Sequence, residues 1–275
     1  MKKTLQIWGS LVLFLFLFPV IITYLPHAEP ANSPKLVKEP LQIVYAANII
    51  EEVEPEIEIE PKLELVQELK KDKGNVLLYF THSHEAYQPI TKAKEGKVAV
   101  SHNSENIMKF GEKLKNQLGV NGIDTDILPI AVPHANAYKT MRPHIEKQIQ
   151  QKKYDLIVDL HRDSIGPEKT TIVHNNEKYA KVAFVIGMEH PNFEKNRANA
   201  VLLKNEMELL VPGITRNLVM KHGAGVDGKY NQDLSPYVVL IELGGIGNSE
   251  DQLNRTVTVI AEATSEIIHK LTINE

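Results

Sequence analysis

The sequence predicts an α/β fold: a single three-layer domain with a mostly parallel twisted sheet, preceded by a transmembrane helix and a linker. Three observations predict it. From residue 73 onward, short apolar runs of strand length alternate with amphipathic stretches of helix length, the pattern of a parallel sheet covered on both faces. Three of the runs end in His or Glu, and open α/β sheets build their sites at the carboxyl ends of strands. Near the N-terminus a run of ~20 apolar residues, long enough to cross a bilayer as a helix, follows Lys2 and Lys3.

The lysines predict a cytoplasmic N-terminus. Residues 1–25 then form a cytoplasmic stub and an uncleaved anchor, because Pro26, His27 and Glu29 follow where a signal peptide would show small residues. The rest of the chain is expected outside the cytoplasm, on a single-pass membrane protein. Residues 26–72 read as an extended tether. Six prolines (Pro26, Pro30, Pro34, Pro40, Pro55 and Pro61) interrupt them, and residues 51–60 are self-repelling acids alternating with apolar residues.

The domain is expected over residues 73–275. Strands are predicted at 75–81, 123–130, 156–160, 169–173, 178–186, 216–221 and 237–243. Helices are predicted at 104–118, capped by Ser104, and at 137–151, kinked or delayed by Pro143. Two more follow at 192–210 and 250–271. Asn175-Asn176 suggests a hairpin, and His222-Gly-Ala-Gly-Val-Asp-Gly228 a mobile loop.

Composition excludes several classes. With no cysteine, disulfides and thiolate metal sites are ruled out. A net charge of -4 and the lack of a Lys/Arg cluster give no reason to expect nucleic acid. Any metal must be held by imidazole and carboxylate. His82-Ser-His-Glu85 supplies H-x-x-E just past the first strand, and His161 ends the strand of residues 156–160. His82, Glu85 and His161 can supply the three protein ligands of a catalytic zinc site. His102 competes with Glu85 as second ligand, and His84 is a spare imidazole. Glu242 lies within an apolar strand, where an unpartnered carboxylate is costly, and is left to act as general base on water. Arg162 can bind a substrate carboxylate or pair with Asp159 or Asp163. His134, His144, His174, His190 and His269 are read as surface residues.

Five blocks in order carry a resemblance: Tyr79-Phe-Thr-His-Ser-His-Glu-Ala-Tyr87, Asp159-Leu-His-Arg-Asp-Ser164, Ala180-Lys-Val-Ala-Phe-Val-Ile-Gly187, Gly228-Lys-Tyr-Asn-Gln-Asp-Leu-Ser235 and Ile241-Glu-Leu-Gly-Gly-Ile-Gly-Asn248. Over residues 73–275 the chain resembles the stage II sporulation protein P family, membrane-anchored cell-wall hydrolases of spore-forming bacteria. The resemblance implies a zinc amidase/carboxypeptidase-like fold. It implies a Zn2+-dependent N-acetylmuramoyl-L-alanine amidase that cleaves peptidoglycan between muramic acid and the stem peptide, with added cross-link cleavage in some members. By that resemblance His82 and His161 match metal-site histidines, Glu85 the H-x-x-E glutamate and Glu242 the catalytic glutamate. His84 departs from the pattern. The resemblance also implies partnership with a glycan-cleaving sporulation enzyme and a membrane co-anchor. The short region before the domain points to a paralogue, with vegetative wall remodelling as one such role. On chemistry alone a peptidoglycan DD-endopeptidase or carboxypeptidase fits the same residues, and a non-catalytic wall-binding module is the alternative outside enzymes.

Overall fold

The computed structural model describes residues 74–273. The predicted anchor and the whole of the tether lie outside the described residues. Among the described residues no helix is long and apolar enough to cross a membrane.

Six strands form the main sheet: β1 (Asn75–Tyr79), β2 (Asp124–Ile127), β3 (Leu156–Asp163), β6 (Val182–Gly187), β7 (Val219–Lys221) and β8 (Val238–Gly245). Their spatial order is β2-β1-β3-β8-β6-β7. The first four in that order run parallel, β6 is antiparallel to β8, and β7 follows β6 in parallel. The mostly parallel sheet of the prediction is therefore observed, with its last two strands reversed. The predicted strand over residues 178–186 is two strands. β4 (Thr171–His174) and β5 (Glu177–Ala180) make a separate hairpin, and β6 begins after Lys181 in the main sheet. The hairpin turns at Asn175 and Asn176, both with positive φ. Asn tolerates that conformation better than most side chains.

Alternation along the central strands sends successive side chains to opposite faces. On one face Leu78, Phe80, Val158, Leu160, Ile241 and Leu243 join the larger core. Three helices cover it: α2 (Ile107–Val120), α5 (Phe193–Leu210) and α6 (Glu250–Ile273). Helix α2 presents Phe110, Leu114 and Leu118 at helical spacing, and burying each contributes ~2 kcal/mol. It lies close to the sheet because Gly111 sits over the Phe80 ring, where a Cβ would collide. On the other face Leu77, Tyr79, Ile157 and Val238 pack against Met141 and Ile145 of α3 (Ala137–Gln151). Pro143 lies inside α3 without delaying its start; as the seventh residue it lacks the N–H that would donate to the Lys139 carbonyl, and the packing of Met141 and Ile145 holds the helix across that gap. The cap of α2 is Asn106, whose side chain accepts from the Met108 N–H, not Ser104. Two short helices complete the set, α1 (Gln88–Glu95) and α4 (Pro167–Thr170). The first was not anticipated, although Pro89 stands in its first turn.

Candidate active site

The carboxyl ends of β1, β3 and β8 lie side by side at the centre of the sheet, and each delivers chemistry to that edge. β1 leads through Phe80 and Thr81 into a turn closed by the Glu85 N–H donating to the His82 carbonyl, 3.0 Å. The backbone around Glu85 is pinned on both sides. Ala86 N–H donates to the Val100 carbonyl (3.0 Å) and Ile107 N–H donates to the Glu85 carbonyl (2.7 Å). The Glu85 carboxylate accepts the Arg162 backbone N–H at 2.7 Å and stands 3.7 Å from His161 Nδ1. On β3 and β8, His161 and Glu242 are direct register partners. Just past that pair the register shifts before Asp163 meets Gly245. Such an irregularity re-aims side chains beside a site. Gly245 is required there because a Cβ would strike the Ile165 carbonyl.

His161 is held from behind. Its Nε2 lies 3.0 Å from Asp159 Oδ1, a charge contact without hydrogen-bond alignment, since that nitrogen has no hydrogen-bond partner. Asp159 is fully buried and is fixed by Thr81, whose N–H and Oγ1 donate to its two oxygens at 3.0 and 2.7 Å. The His82 ring stands 5.2 Å from that of His161, nearly perpendicular, and 4.4 Å from that of His134. Tyr138 lies nearly parallel to His161 at 6.3 Å.

Burial and charge set these groups apart. Burial pushes the Glu242 acid up to about 7, with Glu85 and Asp163 adding to the rise against the pull of His161. Burial also raises Glu85, offset in part by His161 and Arg162. His82 falls to about 4 through burial and the neighbouring His161 and His134. Burial alone would lower His161, but Asp159, Glu85 and Glu242 outweigh it and lift that group to about 10. Burial and neighbouring charge therefore push the two imidazoles in opposite directions beside a carboxyl group whose pKa is raised.

A cavity of about 610 Å³ opens over this edge, lined by His82, His84, Glu85, His134, Arg162 and Glu242 among others. Among the described residues no group of three or more His, Asp or Glu side chains stands gathered as a ready metal site. The donors fit zinc in kind, being imidazole nitrogen and carboxylate oxygen. His82 Nδ1 and Glu242 Oε2 are buried without hydrogen-bond partners, and the Nδ1 of His161 faces the Glu85 carboxylate.

The structure thus brings His82, Glu85, His161 and Glu242 together. His102 is elsewhere engaged: its Nδ1 accepts the Ser104 and Glu105 N–H groups, and its Nε2 contacts Glu95 at 2.8 Å. Arg162 pairs with neither Asp159 nor Asp163 through its guanidinium, which donates instead to the carbonyls of Asp163 and Val100, both at 3.0 Å. Asp163 pairs with Arg216 at 2.5 Å. One of the five surface histidines was misread. His190 is buried; His134 is exposed as expected, and its ring lies tilted against that of His82 in the cavity wall. Sequence reasoning also missed Asp159 as the support of His161. The signal was present, because residues two apart on a strand share a face.

The model of the family described as stage II sporulation protein P (SpoIIP) matches residues 28–265. Stage II sporulation protein P of Bacillus subtilis (strain 168) is 33% identical over 206 residues, which cover 71% of this chain and 51% of the relative. The chain spans about half the length of that curated relative. Among solved structures, the CwlD amidase from Clostridioides difficile in complex with the GerS lipoprotein has a TM-score of 0.48 at 14% identity, over 74% of this chain and 99% of that one. A metallo-carboxypeptidase from Burkholderia cenocepacia has a TM-score of 0.46 at 10% identity, over 77% and 60%. By the extent of the family match and the identity to the Bacillus protein, this chain belongs to the stage II sporulation protein P family.

Proposed function

We propose that this chain is a peptidoglycan hydrolase, a zinc-dependent amidase that cleaves the bond between N-acetylmuramic acid and the L-alanine of the stem peptide. The observation that carries the reading is the pairing of His161 and Glu242 across β3 and β8. There a buried Glu242 oxygen lacks a hydrogen-bond partner, beside a cavity lined by His82 and Glu85. Family membership supports the substrate and a setting in sporulation.

His82, Glu85 and His161 would hold the zinc. A bound zinc supplies a Lewis acid for the carbonyl and lowers the pKa of attacking water towards ~7. The chain's own residues do the rest. Glu242 accepts the proton of the attacking water on its carboxylate and returns it to the departing amine nitrogen. A carboxyl group near neutrality suits both transfers. Asp159 keeps the His161 ring in place through Thr81, and the main-chain bonds at Glu85 fix that carboxylate on a rigid turn. The Arg162 N–H directs one Glu85 oxygen. An N-terminal anchor would confine this work to wall next to the membrane, with the domain extracytoplasmic. A glycan-cleaving enzyme and a membrane co-anchor are the partners that family membership suggests.

The test is Glu242→Gln, assayed for wall cleavage and for zinc content. The reading expects activity to vanish while zinc still binds. Cleavage that survives the substitution would remove Glu242 from the chemistry.

A further inference from the structure

The cavity does not end at the catalytic edge. Across the sheet from Glu242 it continues over β6 and β7, where Val185, Val219 and Lys221 line it. Val185 and Val219 are register partners, and Lys221 lies two residues beyond Val219 on the same face. We propose that Lys221 is a specificity residue that binds a free carboxylate on the peptide part of the substrate. The proposal rests on the hydrolase reading for the direction in which the peptide runs.

Charge and geometry carry the inference. The acids lining the cavity, Glu85, Asp163 and Glu242, stand on the elements at its catalytic end, and Asp163 is already neutralised by Arg216. Lys221 is the cation at the far end, and among the described residues it forms no ion pair with a carboxylate. Glu189, just past β6, accepts the Gly223 N–H instead. The spacing says which carboxylate fits. Glu242 is opposite Ala183 and Lys221 is opposite Gly187. With a rise of about 3.3 Å per residue and about 4.8 Å between strands, their Cα atoms are about 16 Å apart. Allowing about 6 Å for the reach of the lysine, the ammonium meets an extended peptide two to three residues from the scissile amide. A substrate peptide with a carboxylate there gains a charge-assisted contact that a carboxamide cannot make.

The experiment measures binding, so that it stands apart from catalysis. Fluorescently labelled muramoyl tripeptides are titrated into the full chain by anisotropy. The side-chain or α-carboxylate of the second or the third residue is either free or amidated. Lys221→Ala is expected to weaken the free-carboxylate peptide about tenfold and to leave the peptide amidated at the matching position unchanged. Lys221→Arg is expected to restore most of the loss. The arm in which amidation abolishes the effect identifies the carboxylate. Equal loss on free and fully amidated peptides, or no loss on either, overturns the assignment. Wild-type chain that binds the peptide with Lys221-dependent preference yet cleaves no wall would sink the hydrolase reading and leave this one standing.

Discussion

Replacing Glu242 by Gln should stabilise the metal-free protein, and only at neutral to alkaline pH. In the fold the Glu242 acid is raised from 4.5 to about 7, chiefly by burial. A raised carboxyl favours its protonated form when folded. The stability it confers is fully present below the unfolded value and is lost as pH rises through the folded one. The window is therefore about pH 4.5 to 7. That rise corresponds to ~3 kcal/mol at ~1.4 kcal/mol per pKa unit, most of which falls between pH 5 and pH 8. Glutamine does not titrate, so the variant escapes that loss. The assay is urea unfolding of both proteins in chelator at pH 5 and pH 8. The stability difference, variant minus wild type, should grow by about 2–3 kcal/mol over that range, or by several degrees in Tm for a domain of this size. Steric differences between the side chains cancel in the comparison. A difference that stays flat with pH would refute the argument that the fold holds this carboxylate desolvated beside the cavity.

Other consequences follow from the same geometry. Asp159→Asn should lower zinc affinity and wall cleavage about 10- to 100-fold while leaving the fold intact by circular dichroism, because it removes the charge that holds His161. His102→Ala should cost about 1 kcal/mol in chemical denaturation, by leaving the Ser104 and Glu105 N–H groups unpaired, and should leave zinc binding unchanged; Glu85→Ala should abolish zinc binding. Leu114→Ala in the buried face of α2 should cost about 2–5 kcal/mol by the same denaturation assay.

The parts legible in the sequence were those with a local signal. β1, β3 and β8 are apolar runs that stop at polar residues, so their positions and the residues they carry to the sheet edge could be read directly. The α2 face was legible from Phe110, Leu114 and Leu118. The reversed direction of β6 was not, because strand order depends on which neighbours pair and no residue encodes it. The break at Lys181 was hidden for a related reason. Residues 178–186 read as one run, and only the tertiary context separates the hairpin from the main sheet. His190 shows the limit of polarity as a guide: it follows β6 just before α5 in a stretch that reads as a loop, yet it is buried. Glu85 and His102 could not be separated by spacing. In the fold both ring nitrogens of His102 are engaged around the start of α2, while the Glu85 carboxylate stands 3.7 Å from His161.

The most direct test of the central claim is digestion of purified peptidoglycan by the full chain, with products identified by mass spectrometry. Parallel reactions contain zinc, chelator or the Glu242→Gln variant. The account predicts intact stem peptides freed from glycan, only with zinc and only with Glu242 present. Cleaved cross-links without free stem peptides would contradict the amidase assignment in favour of an endopeptidase, and stem peptides released by the Gln variant would contradict the mechanism.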